Sequence, residues 1–121
     1  MVASKLVVLV VEDEPLLRMI AVDVIEAAGF EAVEAASADR AIEILESRAD
    51  IRIVFTDVDM PGSMDGIKLA AAIRRRWPPI EIILTSGYCD VRDVELPARG
   101  VFFRKPYNER ELLTTLQRMA A

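Results

Sequence analysis

The chain of 121 residues contains no histidine and only one cysteine, Cys89. Without histidine it has no imidazole for general acid–base work, for Ser-His triads or for most zinc sites. A single cysteine cannot form an internal disulfide, and this usage is typical of a reducing compartment. Any chemistry must therefore come from carboxylates, hydroxyl groups, a lysine or a bound cation. We expect the protein to be cytoplasmic.

Basic charge and long apolar runs are also scarce. The formal net charge is −5, which argues against a generic nucleic-acid binder, because such a surface would be basic. The one basic run, Arg74 to Arg76, is interpreted as the solvated end of a helix. The N-terminal apolar run is far too short to cross a bilayer and ends in acidic residues. We therefore expect neither a signal peptide nor a membrane anchor.

Hydrophobic residues make up 53% of the chain, enough for the core of one domain spanning residues 1–121. Short apolar runs predict strands, and the run that leads to Asp57, which lacks polar alternation, predicts a strand that is buried on both faces. These runs are Leu6–Val11, Phe30–Ala35, Ile51–Thr56, Ile80–Leu84 and Val101–Phe103. Segments with helical spacing separate them, which predicts an α/β fold: a three-layer, doubly wound, five-stranded parallel sheet.

The predicted helices carry recognisable start and stop signals. Pro15 suits the first turn of a helix in which Leu17, Ile20, Ala21, Val24 and Ala28 recur at helical spacing, and Gly29 suits its end. Ser37 and Asp65 are candidate N-caps for the next two helices. A last helix turns Leu112, Leu113, Leu116 and Met119 inward. Residues 88–98 should hold a further helix, but its apolar stripe is poor and Pro97 interrupts it.

Polar side chains follow four of the predicted strands. Asp57 ends the central strand, just before a Met-Pro-Gly turn, and a buried charge of this kind needs a partner. Ligands of open α/β sheets bind outside the carboxyl ends of the strands. The residues expected at that edge are Glu12, Asp13, Asp57, Asp59, Thr85, Ser86 and Lys105.

This combination favours phosphoryl chemistry. Several carboxylates at one edge repel one another unless a cation joins them, and the lack of nearby histidine or cysteine ligands favours Mg²⁺. A carboxylate beside Mg²⁺ can act as a nucleophile towards a phosphoryl group. The charge on that group requires donors such as Thr85 and Lys105.

The same motifs resemble the response-regulator receiver domain, the phosphoacceptor half of two-component signalling. They are Glu12-Asp13-Glu14, Thr56-Asp57 with the turn to Gly62, Asp65-Gly66, Thr85-Ser86-Gly87 and Lys105-Pro106, and together they cover essentially the whole chain. The resemblance implies a flavodoxin-like sheet of strand order 2-1-3-4-5. It also implies a cis bond between Lys105 and Pro106.

The resemblance implies a role for each site residue. Asp57 would be the phosphoacceptor, and Thr85 and Lys105 would bind the phosphoryl oxygens. Glu12, Asp13 and Asp57, with the backbone carbonyl of Asp59, would hold Mg²⁺. The phosphoryl donor would be a sensor histidine kinase or a histidine phosphotransfer protein. A downstream protein partner would read the result, without nucleic acid or membrane.

The sequence departs from the commonest receiver pattern in three places. Ser63 looks like an extra residue after the Pro-Gly turn. Phe102 stands three residues before Lys105, where many receivers have a switching aromatic residue. Tyr88 follows Gly87, which resembles a subgroup with a Gly-Tyr pair after the fourth strand. Tyr88 is either the switch residue of that subgroup or a packing aromatic.

Two other functions fit parts of the same pattern. Asp57-Val-Asp59 also matches the Asp-x-Asp motif of haloacid-dehalogenase-type phosphatases, but that motif usually opens the chain and a later acidic pair is missing. A receiver-like binding module that is never phosphorylated is the second alternative. Since the chain ends just after the last predicted helix, we expect no output domain. We expect self-phosphorylation and self-dephosphorylation but no other enzymatic activity.

Overall fold

The computed structural model describes residues 5–62, 64–87 and 100–121, which form five strands and four helices. The strands are β1 (Val7–Val11), β2 (Glu31–Ala35), β3 (Ile51–Asp57), β4 (Glu81–Ser86) and β5 (Gly100–Arg104). The helices are α1 (Pro15–Ala27), α2 (Ala38–Ser47), α3 (Gly66–Arg76) and α4 (Glu109–Ala120). None of the helices in these ranges is long and apolar enough to cross a membrane.

All four strand pairs are parallel, and the order in the sheet is β2-β1-β3-β4-β5. The predicted fold class and strand order are therefore confirmed. β1 and β3 are central, and their apolar residues are almost completely buried. This burial explains why the two strands read as continuous apolar runs in the sequence.

The helices begin where their capping residues predict. Pro15 is the first residue of α1. The Ser37 side chain accepts a hydrogen bond from the Arg40 backbone N–H (3.1 Å), and the Asp65 side chain accepts one from the Lys68 N–H (2.9 Å). Both predicted N-caps are confirmed. Gly29, with a φ of +95°, follows α1 in the left-handed conformation that glycine adopts without strain.

Helices cover both faces of the sheet. Helices α2 and α3 pack on one face, where Leu9, Val54 and Leu84 belong to a buried cluster with Ile44 and Ile73. On the other face, α1 and α4 pack against a second cluster, which contains Val10, Phe55 and Ile83 from the sheet, Ile25 from α1 and Leu116 from α4. The architecture is the predicted three-layer sandwich.

Two details differ from the sequence prediction. β3 extends to Asp57 and β4 to Ser86, so Thr85 lies within a strand rather than after one. Of the residues predicted at helical spacing in α1, only Ala21 is fully buried, while Leu17 and Ile20 are 37% and 39% exposed. The predicted helix at 88–98, and the predictions for Ser63 and Tyr88, lie outside the described residues.

Candidate functional site

The site residues continue one face of the sheet. Successive side chains of a strand point to opposite faces, and Val10, Phe55 and Ile83 all belong to the cluster under α1 and α4. Two residues further along the chain come Glu12, Asp57 and Thr85. In β5, Phe103 packs on this same face and Lys105 follows it by two. The chain thus delivers three acceptors and one cation to the same side of the same sheet edge.

Hydrogen bonds hold these strand ends in register. Asp57 pairs with Thr85 across β3 and β4. Beyond the ladder, the Val58 N–H donates to the Thr85 carbonyl and the Lys105 N–H donates to the Ser86 carbonyl, both at 2.8 Å. The acidic and basic groups are therefore placed by backbone structure rather than by their own attraction.

Lys105 bridges two buried carboxylates. Its Nζ atom lies 3.2 Å from Asp57 Oδ2 and 3.2 Å from Glu12 Oε1. Asp57 and Glu12 are only 4% and 5% exposed. The lysine therefore supplies the partner that a carboxylate at the end of a buried strand needs.

Burial shifts the pKa of each of these groups. Burial raises the pKa of Asp57 and outweighs the opposing effects of Lys105 and of the Asp59 N–H. It also raises the pKa of Glu12, and the charge of Asp57 adds to that rise. For Lys105, burial alone would lower the pKa, but the two carboxylates outweigh it and raise the pKa overall. Burial therefore disfavours the ionised forms of Asp57 and Glu12 even beside Lys105, and a further cation would stabilise those ionised forms.

Three carboxylates are close enough to share such a cation. Glu12, Asp13 and Asp57 each offer an oxygen, and these atoms lie within 4.8 Å of one another. Carboxylate oxygens without nitrogen or sulfur ligands suit Mg²⁺, which keeps several of its own waters. The donor set and the excess of negative charge both fit that ion.

Asp59 contacts the site through its backbone and its side chain. Its N–H donates to Asp57 Oδ1 (3.2 Å), and its carboxylate accepts a 2.5 Å hydrogen bond from the Ser86 hydroxyl. The turn after β3 is thereby linked to the end of β4. Ser86 thus orients the Asp59 carboxylate. The role of the Asp59 backbone carbonyl as a metal ligand stays a prediction.

Thr85 lines a cavity beside Lys105. Thr85 is 1% exposed, and its hydroxyl has no hydrogen-bond partner within the part of the chain that the structure describes. It lines a cavity of about 350 Å³ together with Lys105, Leu17, Ile20 and Tyr107. A donor group entering this cavity would meet the hydroxyl and the ammonium group together.

Two further residues support the site. A Cβ atom on Gly66 would collide with the carbonyl oxygen of Asp57 and lie 2.8 Å from Val58 Cα. The Gly66 N–H donates to the Val58 carbonyl (3.1 Å), so α3 begins against the peptide group that joins Asp57 to Val58. Sequence reasoning used Gly66 only as part of a motif. It missed Arg18, whose guanidinium donates to the Glu12 carbonyl at 2.9 Å.

Two expectations concern β5 and the turn that follows it. The peptide bond between Lys105 and Pro106 is cis, as predicted. Phe102 lies across from Leu84 and packs on the α2 and α3 side of the sheet, opposite to Thr85. Its role as a switch stays a prediction.

Comparison with known proteins shows the family. The model of the response regulator receiver domain matches residues 8–117. The chain therefore belongs to the receiver domains of two-component response regulators. It is 38% identical over 116 residues to the sensor kinase CckA of Brucella abortus, covering 93% of this chain and 12% of that protein. It is also 38% identical to the response regulator FleR of Pseudomonas aeruginosa, covering 93% of this chain and 24% of that protein. The chain thus spans a quarter or less of these relatives.

Solved structures agree with this assignment. A response regulator receiver protein from Sinorhizobium medicae superposes with a TM-score of 0.86 at 26% identity, covering 95% of this chain and 94% of that one. The receiver domain of the hybrid histidine kinase CckA superposes with a TM-score of 0.80 at 28% identity, covering 95% and 99%. The flavodoxin-like receiver fold extends over almost the whole chain.

Proposed function

We propose that this domain accepts a phosphoryl group on Asp57 from the phosphohistidine of a sensor histidine kinase or a histidine phosphotransfer protein. The observation that carries the proposal is the meeting of Asp57, Glu12, Asp13 and Lys105 at one sheet edge. A buried ion pair needs only two of these groups. The additional carboxylates are explained by a divalent cation that binds beside the acceptor.

The reaction is a displacement at phosphorus. One oxygen of Asp57 attacks the phosphorus atom, and the bond from phosphorus to the donor imidazole breaks. The electron pair stays on the imidazole nitrogen, which takes up a proton from solvent, and an acyl phosphate forms on Asp57. Mg²⁺ held by Glu12, Asp13, Asp57 and the Asp59 carbonyl would lower the charge repulsion between carboxylate and phosphoryl group.

Thr85 and Lys105 would stabilise the transferred group. The Lys105 ammonium already lies 3.2 Å from the Asp57 carboxylate, and the Thr85 hydroxyl has no other partner among the described residues. The Thr85 hydroxyl can therefore donate to a phosphoryl oxygen without losing another hydrogen bond. Lys105 would give up only its contact with Glu12. Movement of Thr85 would displace β5, because Thr85 pairs with Phe103 across β4 and β5. Phe103 is next in sequence to the proposed switch residue Phe102.

The protein donor would dock beside the cavity, on α1. Four large apolar side chains of this helix are exposed: Leu16, Leu17, Met19 and Ile20. Two of them, Leu17 and Ile20, line the cavity that contains Thr85 and Lys105. An apolar patch continuous with the site suits a helical protein surface that carries the phosphohistidine. Met19→Ser should slow transfer from a phosphohistidine protein while leaving phosphorylation by acetyl phosphate unchanged.

Phosphorylation can be tested directly. The protein is incubated with acetyl phosphate and Mg²⁺, and its intact mass is measured. One added phosphoryl group that requires Mg²⁺ and disappears in Asp57→Ala is the expected result. Absence of any Mg²⁺-dependent adduct, with acetyl phosphate or with a phosphohistidine protein, would favour the non-phosphorylated binding module.

The phosphatase alternative has a different readout. A haloacid-dehalogenase-type enzyme would turn over a phosphomonoester continuously. The proposed receiver would instead acquire one phosphoryl group and lose it by slow hydrolysis. Release of phosphate from p-nitrophenyl phosphate over many turnovers would overturn the proposal that this chain is not an enzyme.

A further inference from the structure

Arg18 connects α1 to two other elements near the acidic cluster. Its Nη1 atom donates to the backbone carbonyl of Glu12 (2.9 Å), and its Nε atom donates to Glu34 Oε1 on β2 (3.0 Å). The Arg18 side chain is only 21% exposed, although it lies on the same helix as the exposed apolar patch. The two bonds clamp the guanidinium between β2 and the turn that leads from β1 into α1.

The hydrogen bond from Arg18 to the Glu12 carbonyl is the one that bears on the carboxylate cluster. This carbonyl belongs to the peptide group that joins Glu12 to Asp13, so a bond to this oxygen fixes the plane of that peptide and the direction in which Asp13 leaves it. The same turn is held by the Glu12 N–H, which donates to the Ala35 carbonyl (3.1 Å), and by the Glu14 N–H, which donates to Glu12 Oε2 (3.2 Å).

This turn carries charges that push it open. Glu12, Asp13 and Asp57 offer oxygens within 4.8 Å of one another, and like charges at such distances repel. An arginine that grips the backbone between the first two resists this repulsion. It does so without touching any of the three carboxylates in the structure.

We propose that Arg18 is a positioning residue for the divalent cation, acting through the Glu12 carbonyl and anchored by Glu34. This inference rests on the proposed function, because it takes the carboxylate cluster as the Mg²⁺ site. Partners of this kind, which orient ligands without binding the metal, commonly change metal affinity about 10- to 100-fold. Because Arg18 orients a backbone group rather than a ligand atom, we expect the lower end of that range.

Charge and geometry predict opposite signs for the removal of Arg18. Loss of a positive charge near an acidic site makes that site more negative, which would tighten the binding of Mg²⁺. Loss of the two Arg18 hydrogen bonds lets Asp13 move away from Asp57, which would weaken the binding of Mg²⁺. The direction of the change in affinity therefore separates the two explanations.

The test compares Arg18→Ala with Arg48→Ala. Arg48 is a matched control because it also pairs with a glutamate of β2, Glu31, at 3.3 Å, but at the amino end of the strand, away from the carboxylates. The dissociation constant for Mg²⁺ is obtained from the rise in Tm with Mg²⁺ concentration and independently by calorimetry. We expect Arg18→Ala to bind Mg²⁺ about tenfold more weakly, and Arg48→Ala to bind it as the wild type does.

Further variants keep the inference falsifiable if Arg18→Ala fails to fold. Arg18→Lys retains the charge but cannot span both acceptors, so it should weaken Mg²⁺ binding by a smaller factor. Glu34→Gln should do the same, and its effect should vanish in an Arg18→Lys background. A merely structural role would lower Tm equally with and without Mg²⁺ and leave the dissociation constant unchanged.

Two results would overturn the inference. One is an unchanged or tighter Mg²⁺ dissociation constant in Arg18→Ala and Arg18→Lys, while the wild type binds Mg²⁺ and is phosphorylated on Asp57. In that case the proposed function stands and the positioning role fails. The other is a wild-type protein that does not bind Mg²⁺ at all, which overturns both.

Discussion

The ammonium group of Lys105 lies 3.2 Å from the carboxylate of Asp57 and makes a second contact, also of 3.2 Å, with Glu12, a residue 93 positions earlier in the chain. One cation thus forms ion pairs with two carboxylates that neighbouring strands bring together. The arrangement has a double consequence. It makes the buried carboxylates tolerable in the folded protein, and it leaves a positive charge where an incoming phosphoryl group would arrive.

Lys105→Met should be less stable than the wild type, because two buried carboxylates lose their ion-pair partner, and in Mg²⁺ it should fold but lose most of the phosphorylation. Removal of a charged donor from a group that accumulates negative charge slows such reactions by about 10²- to 10³-fold. The rate is measured by intact mass after mixing with acetyl phosphate and Mg²⁺. Lys68→Met, on the exposed side of α3, is the matched control and should react as the wild type does. Equal rates in both variants would remove Lys105 from the proposed mechanism.

Asp57→Asn should change the dependence of stability on pH. Burial raises the pKa of Asp57 and of Glu12 above their ordinary values of 3.8 and 4.5. The folded protein therefore binds these protons more tightly than the unfolded chain does. Their stabilising contribution is complete below those ordinary values and is lost as pH rises through the higher folded-state values.

In metal-free buffer, the free energy of unfolding of the wild type should therefore fall with rising pH in this range more steeply than that of Asp57→Asn. The variant should also be the more stable protein at neutral pH. Urea denaturation in EDTA at a series of pH values measures both. Asp23→Asn, on the exposed side of α1, controls for removal of one acidic residue. Parallel pH curves for wild type and Asp57→Asn would contradict the prediction.

Thr85→Val should separate stability from function. The Thr85 hydroxyl forms no hydrogen bond with the described residues, so its replacement by a methyl group leaves no buried partner unsatisfied. We expect a change in unfolding free energy of less than about 1 kcal/mol and phosphorylation slower by about 10²-fold. Thr115→Val, at a buried position of α4, should leave the rate unchanged. A large loss of stability in Thr85→Val would show that the hydroxyl has a structural role.

Gly66→Ala should destabilise the protein through a clash with the peptide group that joins Asp57 to Val58. The added methyl group would collide with the Asp57 carbonyl, and overpacking of this kind costs about 1–3 kcal/mol. Gly87→Ala is the comparison, because the nearest atom to its new methyl group, Lys105 Cβ, is 3.9 Å away, an ordinary contact. Urea denaturation of both variants gives the difference. Equal stability would mean that α3 moves aside without cost.

The order of elements was predictable because the three inner strands, β1, β3 and β4, are almost completely buried and read as apolar runs, and segments with helical spacing separate the strands. The caps Ser37 and Asp65 were predictable for a local reason, since each bonds to a backbone N–H three residues later. The exposure of Leu17 and Ile20 was not, because helical spacing does not show which part of an apolar face meets the sheet.

The site was predictable to the level of strand ends but not of contacts. Parallel strands bring their carboxyl ends together, so Glu12, Asp57, Thr85 and Lys105 were expected at one edge. The shared contact of Lys105 with Asp57 and Glu12 depends on side-chain packing that spacing does not describe. Arg18 was missed because an arginine in the second turn of a helix usually points to solvent, and its acceptor is a backbone carbonyl with no sequence signature.

The site residues stand two positions beyond core residues on the same strands, and this spacing limits how the domain can change. Deleting one residue between Phe103 and Lys105 would shift the lysine to the opposite side of β5, away from Asp57. Substitutions can alter the chemistry of this edge one group at a time. The insertion or deletion of a single residue in a strand would instead move site side chains to opposite faces of the sheet. Changes in chain length should therefore be tolerated only in segments outside the sheet.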